Sequence, residues 1–199
     1  MRVKNTILKK ILQGEGISSG YSFRSKIEDD PDGQLKVIQL KDFINDYTAI
    51  DEDCNKVSSE GIKEKYILKN GDILFISKGQ NNNAIAFSEE RLKGPYIASS
   101  SLFVISINSK IANPDYIAWY INQLPVQNYI KQNLTGTYTP TVNRKVVEYI
   151  PIQLPNLEEQ ANIATLGNLS IKEKALQSQI KDLRELLIHT QLLNHINNR

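Results

Sequence analysis

Residues 156–194 constrain the fold of this chain more than any other stretch. They contain no proline, and Asn156 and Glu159 have the spacing of a helix N-cap and capping box. A helix of about 38 residues is close to 60 Å long, too long to lie along a domain of roughly 150 residues. Apolar residues then recur with heptad spacing, at Leu169, Leu176, Ile180, Leu183 and Leu187.

This heptad pattern predicts a helical arm whose apolar seam packs against a second long helix. The five seam residues are the predicted dimerisation contacts, with either a second copy of the chain or another protein as the partner. A surface helix packed on its own domain is the alternative. Beyond Leu187 the pattern drifts, because Leu186, Leu193 and Ile196 lie on a neighbouring face.

The composition is that of an ordinary globular protein. The chain has 199 residues, of which 40% are hydrophobic and 23% charged, which predicts one domain over residues 1–155 and an arm over 156–199. No apolar run approaches the ~20 residues that a membrane span requires, and no secretion signal is visible. Cys54 is the only cysteine. We therefore expect a protein of the reducing cytoplasm with no membrane partner and no metal site.

Charge is distributed unevenly along the chain. Residues 1–26 carry six basic and one acidic residue, a net charge of +5, and residues 65–150 carry nine basic and five acidic, a net charge of +4. Residues 27–64 carry four basic and eleven acidic residues, a net charge of −7. Two segments are therefore compatible with a polyanionic partner, and ordinary solvated surface is the alternative.

Hydrophobic spacing predicts the secondary structure. Apolar residues at helical spacing indicate a helix over residues 5–13, and Asn113-Pro114 indicates the start of another, which Pro125 separates from a further helix ending near residue 133. The acidic stretch 42–59 is predicted to be a loop. Strands are predicted at residues 36–40, 84–87, 96–98, 101–107 and 146–152, with a hairpin over 66–76 that turns at 70–72. Together these elements indicate an α+β fold.

No catalytic motif is apparent. Gly14, Gly16 and Gly20 lack the spacing and the strand–helix context of a dinucleotide loop. The sequence Asn-Pro-Asp-Tyr at 113–116 resembles the Asn/Asp-Pro-Pro-aromatic motif of adenine methyltransferases, but Asp115 occupies the third position and no glycine-rich cofactor loop precedes it. We therefore expect a non-catalytic chain with no cofactor of its own.

Two loops have compositions that suit DNA binding. Side-chain amides can read adenine, lysine can reach guanine or phosphate, and hydroxyl groups can contact phosphates. Ordinary surface turns are the alternative. The candidate residues are Lys78, Gln80, Asn81, Asn82 and Asn83 in the first loop, and Thr135, Thr137, Tyr138, Thr139, Asn143, Arg144 and Lys145 in the second.

The order of these parts resembles the DNA specificity subunit of type I restriction–modification systems over residues 20–196. The resemblance rests on Asn-Gly-Asp-Ile-Leu-Phe-Ile-Ser-Lys-Gly at 70–79, on the helix pair and the Thr/Gly loop at 134–141, and on one junction. That junction is Ile-Pro-Ile-Gln-Leu-Pro-Asn-Leu-Glu-Glu-Gln at 150–160, followed by the long helix. Family members usually contain two target recognition domains and two long helices, so this chain resembles a half-length form.

The resemblance implies a strand-rich target recognition domain with a twisted, partly barrel-like sheet and short helices, followed by a long coiled-coil helix. It implies a non-catalytic subunit that binds half of a bipartite double-stranded DNA site and dimerises through the helix. Its partners would be adenine methyltransferase subunits, which hold S-adenosylmethionine, and motor-nuclease subunits. DNA-facing loops rise from the sheet in this family, which adds Ser22, Arg24 and Lys26 to the candidate residues.

Three other functions remain open from the sequence. The arm can pair with a different half-subunit and give an asymmetric DNA site. The chain can be a coiled-coil adaptor whose globular domain binds protein. It can also be a silent specificity cassette that functions only after recombination into a longer gene.

Overall fold

The protein has an α+β fold, seen in a computed structural model that describes residues 3–136 and 138–197. The chain divides into two compact units, Met1–Ala164 and Thr165–Arg199. The functional boundary predicted after residue 155 stays a prediction, because compactness alone does not test it.

Eleven short strands in the described residues form four small sheets that are not closed into a barrel. The central sheet has the strand order β2-β10-β7-β8, a second sheet has the order β6-β3-β9, and two pairs join β1 to β11 and β4 to β5. The strands are β1 (Lys4–Ile7), β2 (Leu12–Ser19), β3 (Leu35–Ile38), β4 (Phe43–Ile44), β5 (Ala49–Ile50), β6 (Lys56–Val57), β7 (Ile73–Ile76), β8 (Ala84–Ala86), β9 (Tyr96–Ala98), β10 (Leu102–Ile107) and β11 (Pro151–Leu154).

Four α-helices are present in the same residues, and two of them start at the predicted N-caps, Asn113 and Asn156. The Asn113 side chain accepts a hydrogen bond from the Tyr116 backbone N–H at 3.1 Å, and Pro125 lies in the first turn of the second helix. The Asn156 side chain accepts from the Glu159 backbone N–H at 2.9 Å. The helices are α1 (Pro114–Ile121), α2 (Leu124–Gln132), α3 (Arg144–Glu148) and α4 (Leu157–Asn197).

The central sheet is buried on both faces, which explains the continuous apolar run of β7. Ile73 and Phe75 pack in the cluster that contains α1 and α2. Leu74 and Ile76 belong to the cluster that contains residues of β3 and β9 on the other face. Successive side chains of a strand point to opposite faces, so both alternating sets of β7 are in contact with apolar neighbours.

The helix predicted over residues 5–13 is wrong, because β1, a 3₁₀ turn at Leu8–Ile11 and the start of β2 occupy this segment. Two of its apolar residues, Leu8 and Ile11, are buried in the 3₁₀ turn and not along one face of a helix. The backbone of β1 pairs with β11, Lys4 facing Leu154. The strand that pairs with β1 is 150 residues away along the chain, so a local hydrophobic pattern cannot indicate it. This long-range pairing determines the structure of the segment.

Two other predicted strands are wrong in part. Residues 64–66 form a 3₁₀ turn and only the second half of the 66–76 hairpin is a strand, although the turn at 70–72 is present, with Gly71 at φ +87°. Residues 144–148 form α3, so the last strand begins at Pro151 and not at Val146. The predicted loop 42–59 contains the short strands β4, β5 and β6.

Gln160 anchors the start of α4 in the first unit. This side chain is 1% exposed. Its Oε1 accepts from the Asn113 backbone N–H at 2.8 Å, and its Nε2 donates to the carbonyl oxygens of Pro155 at 2.9 Å and Ile111 at 3.4 Å. The glutamine of the 150–160 junction therefore joins two backbone segments, residues 111–113 and Pro155, at the N-terminus of the long helix.

The second unit contains the remainder of α4, and most of its large apolar side chains are exposed. The seam residues Leu169, Leu176, Ile180, Leu183 and Leu187 are each between 49% and 65% exposed. Charged residues occupy other faces of the helix, where Lys181 and Glu185 form an i,i+4 ion pair at 3.9 Å. Among the described residues, no helix combines the length and the hydrophobicity that a membrane crossing requires.

Candidate nucleic-acid interface

The three predicted DNA-facing segments meet at one end of the central sheet. Phe103, near the start of β10, pairs with Ser19 at the end of β2 and with Phe75 near the end of β7. The chain leaves β2 into residues 22–26 and leaves β7 into residues 78–83. Antiparallel pairing therefore places both segments at the same edge of the sheet.

Backbone hydrogen bonds join the Thr/Gly loop to the loop that follows β7. Gly79 N–H donates to the Pro140 carbonyl at 2.8 Å, and Val142 N–H donates to the Ser77 carbonyl at 2.8 Å. Two loops that are about 60 residues apart in sequence are thus a single hydrogen-bonded surface. These bonds use main-chain atoms and leave the side chains available.

The Thr/Gly loop closes on itself and exposes one aromatic side chain. Thr135 and Thr141 exchange both backbone hydrogen bonds, at 3.0 and 2.8 Å. Gly136 has φ +92°, and a Cβ at this position would lie 2.9 Å from the Thr139 carbonyl oxygen, so the tight turn requires glycine. Tyr138 is fully exposed near the tip, and Thr139 is exposed. Thr137, another predicted contact, lies outside the described residues.

The amide side chains of residues 80–83 are in different environments. Gln80 and Asn81 are exposed together with Lys78, and Asn83 is half-buried. Asn82 is 1% exposed, and its Nδ2 donates to the carbonyl oxygens of Ile76 at 3.0 Å and Gly79 at 3.4 Å. Its burial does not fit the predicted contact with a base, and it holds the loop in shape instead.

Two amide side chains, which the sequence did not single out, support this loop: Asn122 in the turn after α1 and Gln127 in α2. The amide group of Asn122 pairs with the backbone of Ala84, with Oδ1 accepting and Nδ2 donating, each at 2.8 Å. Gln127 Nε2 donates to the carbonyl oxygens of Asn82 at 3.1 Å and Ile121 at 2.9 Å. Nothing in the sequence distinguishes these amides from solvated residues of a helix surface.

The cations at the end of the Thr/Gly loop differ in whether they form an ion pair with an acidic side chain. Arg144 Nε lies 3.1 Å from Glu148 Oε1, and Lys9 Nζ lies 3.1 Å from Glu148 Oε2. The hydrogen bond from Lys9 lowers the pKa of the Glu148 carboxyl, and Arg144 adds to this effect. Lys145 is exposed and has no ion-pair partner among the described residues, as is also true of Lys78. Asn143 is exposed at the N-cap position of α3.

Ser22, Arg24 and Lys26 are all exposed on the segment that follows β2. The segment is fixed at its start, where Tyr21 N–H donates to the Ala98 carbonyl at 2.7 Å. The Tyr21 ring packs edge-on against Phe23 and Tyr66, with centroid distances of 4.8 and 5.1 Å. The aromatic residues therefore face the protein while the polar residues between them face solvent.

The assembled surface offers exposed amides, hydroxyl groups and cations. Residues 77–83 and 134–145 contain no aspartate or glutamate. In the described part of the chain, no group of three His, Cys, Asp or Glu residues is arranged to hold a metal ion. The chemistry of the surface is hydrogen bonding and charge attraction, which suits recognition of a polyanion. The DNA contacts of the individual residues stay predictions.

Comparison with known proteins agrees with this architecture. A curated relative, the type I restriction enzyme MjaVIII specificity subunit of Methanocaldococcus jannaschii, is 33% identical over 103 residues, which is 52% of this chain and 23% of that protein. The HsdS subunit from Thermoanaerobacter tengcongensis has a similar structure, with a TM-score of 0.60 and 19% identity over 92% of this chain and 44% of that one.

A second structure, the type I restriction-modification S subunit from M. genitalium, has a TM-score of 0.56 and 14% identity over 89% of this chain and 41% of that one. At these identities the two structures show a shared fold. This chain spans less than half the length of the relatives that it matches.

The family model for the type I restriction modification DNA specificity domain matches residues 14–182, a range that includes the central sheet, the loops at its end and much of α4. A specificity domain selects a target and is not itself a catalyst, which agrees with the predicted absence of enzymatic activity. The chain belongs to the family of type I restriction–modification DNA specificity domains.

Proposed function

We propose that the first unit binds one half of a bipartite double-stranded DNA site through the end of its central sheet. The observation that carries this proposal is the convergence of residues 22–26, 78–83, 135–136 and 138–145, which come from three parts of the sequence but lie at the same end of the central sheet. Membership in the specificity-domain family supports DNA as the ligand.

Different residues of this surface have different tasks in the proposal. Lys78 and Lys145, which are exposed and unpaired among the described residues, contact phosphates. Gln80 and Asn81 read base edges, because a side-chain amide can pair with adenine through two hydrogen bonds. Asn82 positions this loop from beneath and does not contact DNA.

The exposed seam of the second unit supports pairing with a second copy of the chain. Leu176, Ile180 and Leu183 are each at least 49% exposed, and a stripe of this length needs an apolar cover in water. A second identical helix offers a complementary seam. A dimer with twofold symmetry presents two identical recognition surfaces and reads an interrupted palindrome.

The complex is completed by proteins that carry out the chemistry. Adenine methyltransferase subunits, which bind S-adenosylmethionine, and motor-nuclease subunits act at the DNA that this chain selects, in the cytoplasm. Support comes from the curated relative, whose name places its specificity subunit in a type I restriction enzyme. The chain itself holds no cofactor in this proposal.

A map of N6-methyladenine in host DNA tests the function, with the gene intact and deleted beside its methyltransferase. Loss of a symmetric two-part motif on deletion is the expected result and identifies the target directly. Loss of an asymmetric motif supports the recognition function but indicates that the partner is a different half-subunit and not a second copy. An unchanged map contradicts the proposal and favours a protein-binding adaptor or a silent cassette.

A further inference from the structure

A depression with a mixed polar and apolar lining and a cavity volume of about 430 Å³ lies beside the proposed interface. It is lined by Ser99, Ser100 and Ser101, the turn between β9 and β10, and by Lys26 and Lys41. Tyr21 and Phe23 form part of its apolar wall. The turn sits at the same edge of the central sheet as the three DNA-facing segments, because it leads directly into β10. We refer to residues 99–101 as the serine turn.

Backbone hydrogen bonds on several sides fix the serine turn in place. Ser99 N–H donates to the Ile38 carbonyl at 2.9 Å, and Leu102 N–H donates to the Ser99 carbonyl at 3.0 Å. The Ser101 carbonyl accepts from both the backbone N–H and the hydroxyl of Ser77, at 3.0 and 2.9 Å. The turn is therefore preorganised, and Ser77 couples it to the loop that carries Lys78.

The serine turn has several hydrogen-bond donors without a protein acceptor. The parallel bridge between Tyr21 and Ser99 directs the Ser100 N–H towards the Tyr21 carbonyl. Among the described residues, the backbone N–H of Ser101 has no partner, and the hydroxyl groups of all three serines make no hydrogen bond. An unpaired N–H beside three hydroxyl groups, which rotate to suit a ligand, provides donors for an anion.

The charge of the depression favours an anion as well. No aspartate or glutamate lines it. Lys41 is partly neutralised, because its Nζ lies 3.8 Å from Asp42 Oδ1 and also donates to the Asn55 side chain. Lys26 is exposed and has no partner among the described residues, so its positive charge is available to a ligand.

We propose that the serine turn and Lys26 form a binding site for a phosphate group of the DNA backbone. This inference rests on the proposed function, and it extends the interface beyond the predicted loops to a part of the sheet edge that the sequence did not indicate. Phosphate contacts of this kind fix the register of a protein on DNA without reading its sequence. The site therefore orients the first unit so that Gln80 and Asn81 meet the base edges.

Salt-dependent DNA binding by the full chain tests the site. The probe is a fluorescent short duplex of mixed sequence, and the measurement is the slope of log K against log salt concentration. Lys26→Gln removes the cation and is expected to reduce the magnitude of the slope by about 0.9, the value for one phosphate contact. Lys110→Gln is the matched control, because Lys110 is exposed near the opposite end of β10.

A second pair of variants tests the serine turn without removing a cation. Ser100→Asp places a carboxylate in the depression, and Ser109→Asp makes the same change in an exposed turn beyond the other end of β10. Ser100→Asp is expected to weaken binding at low salt, whereas Ser109→Asp is expected to leave the affinity unchanged. Slopes and affinities equal to those of the wild type for both Lys26→Gln and Ser100→Asp overturn the inference.

Failure of the proposed function gives a different result from failure of this site. If the wild-type chain does not bind the duplex at any salt concentration, the proposed function is wrong. Titration of the labelled protein with inorganic phosphate then decides the site separately by nuclear magnetic resonance. Shifts of the Ser100 and Ser101 amide signals that Lys26→Gln abolishes support a phosphate site for a free ligand, and unshifted signals overturn it.

Discussion

Asn81 and Asn82 are adjacent and chemically identical, yet the fold gives them opposite environments. Asn81 is exposed at the interface, whereas Asn82 is 1% exposed and donates to two backbone carbonyls. The first amide is free to bind a ligand, and the second is part of the support of the loop. Composition identified the amide-rich loop as a candidate interface, but burial, which depends on the contacts of α1 and α2, was required to separate the two roles.

Single alanine substitutions at these two positions should separate recognition from stability. Asn81→Ala is expected to reduce discrimination between target and non-target duplexes by about 1–3 kcal/mol, the range for one bidentate base contact. Asn82→Ala is expected to lower the free energy of unfolding by about 1–3 kcal/mol, because buried carbonyl groups lose their donor. Competition binding and urea denaturation measure the two effects. Equal effects of both variants on discrimination would contradict this division.

Helix starts and strand cores are the elements that local chemistry determines here. The caps at Asn113 and Asn156 and the break at Pro125 depend on neighbouring residues, and the structure confirms all three. The segments 5–13 and 146–150 are different, because long-range contacts decide them: β1 pairs with β11, and Val147 of α3 is buried in the main core. Elements whose hydrogen-bond partners are distant in sequence are therefore the ones that a local pattern missed.

The start of α4 provides a test at this scale. Gln160→Ala is expected to lower the free energy of unfolding by about 1–3 kcal/mol, because its buried hydrogen bonds to the Asn113 N–H and the Pro155 carbonyl are lost. Glu158→Ala is the control, since Glu158 lies two residues before Gln160 and is exposed. Its free energy of unfolding is expected to change by no more than about 0.5 kcal/mol. Thermal and urea unfolding measure both. A Gln160 variant as stable as the control contradicts the anchoring role.

For the whole molecule, the heptad spacing of α4 predicted the long helix directly, but the comparisons with known proteins do not test whether its apolar seam forms a dimer. The structure confirms that α4 is one continuous helix and shows that the seam residues are exposed in the second unit. The identity of the covering helix depends on association between chains, which neither a single sequence nor a single chain determines. A measurement of mass in solution is required.

Ile180→Glu is expected to disrupt the proposed dimer, because a carboxylate replaces an apolar side chain in the middle of the seam. The dimer dissociation constant should rise at least tenfold, which corresponds to about 1.4 kcal/mol. Ser178→Glu is the matched control, since it adds the same charge at an exposed position on the opposite side of the helix. Sedimentation equilibrium measures both variants. A wild-type chain that is monomeric throughout the concentration range contradicts pairing with a second copy.

The main-chain bonds that join the interface loops have a consequence for how target preference can change over time. Backbone atoms, which are the same whatever side chain is present, form the hydrogen bonds between Gly79 and Pro140, Val142 and Ser77, and Thr135 and Thr141. Exposed side chains such as those of Gln80 and Asn81 can therefore be replaced while these backbone hydrogen bonds remain. If the proposed function is correct, a lineage acquires new DNA targets by substitution at these positions without a change of fold, and directed evolution can use the same positions.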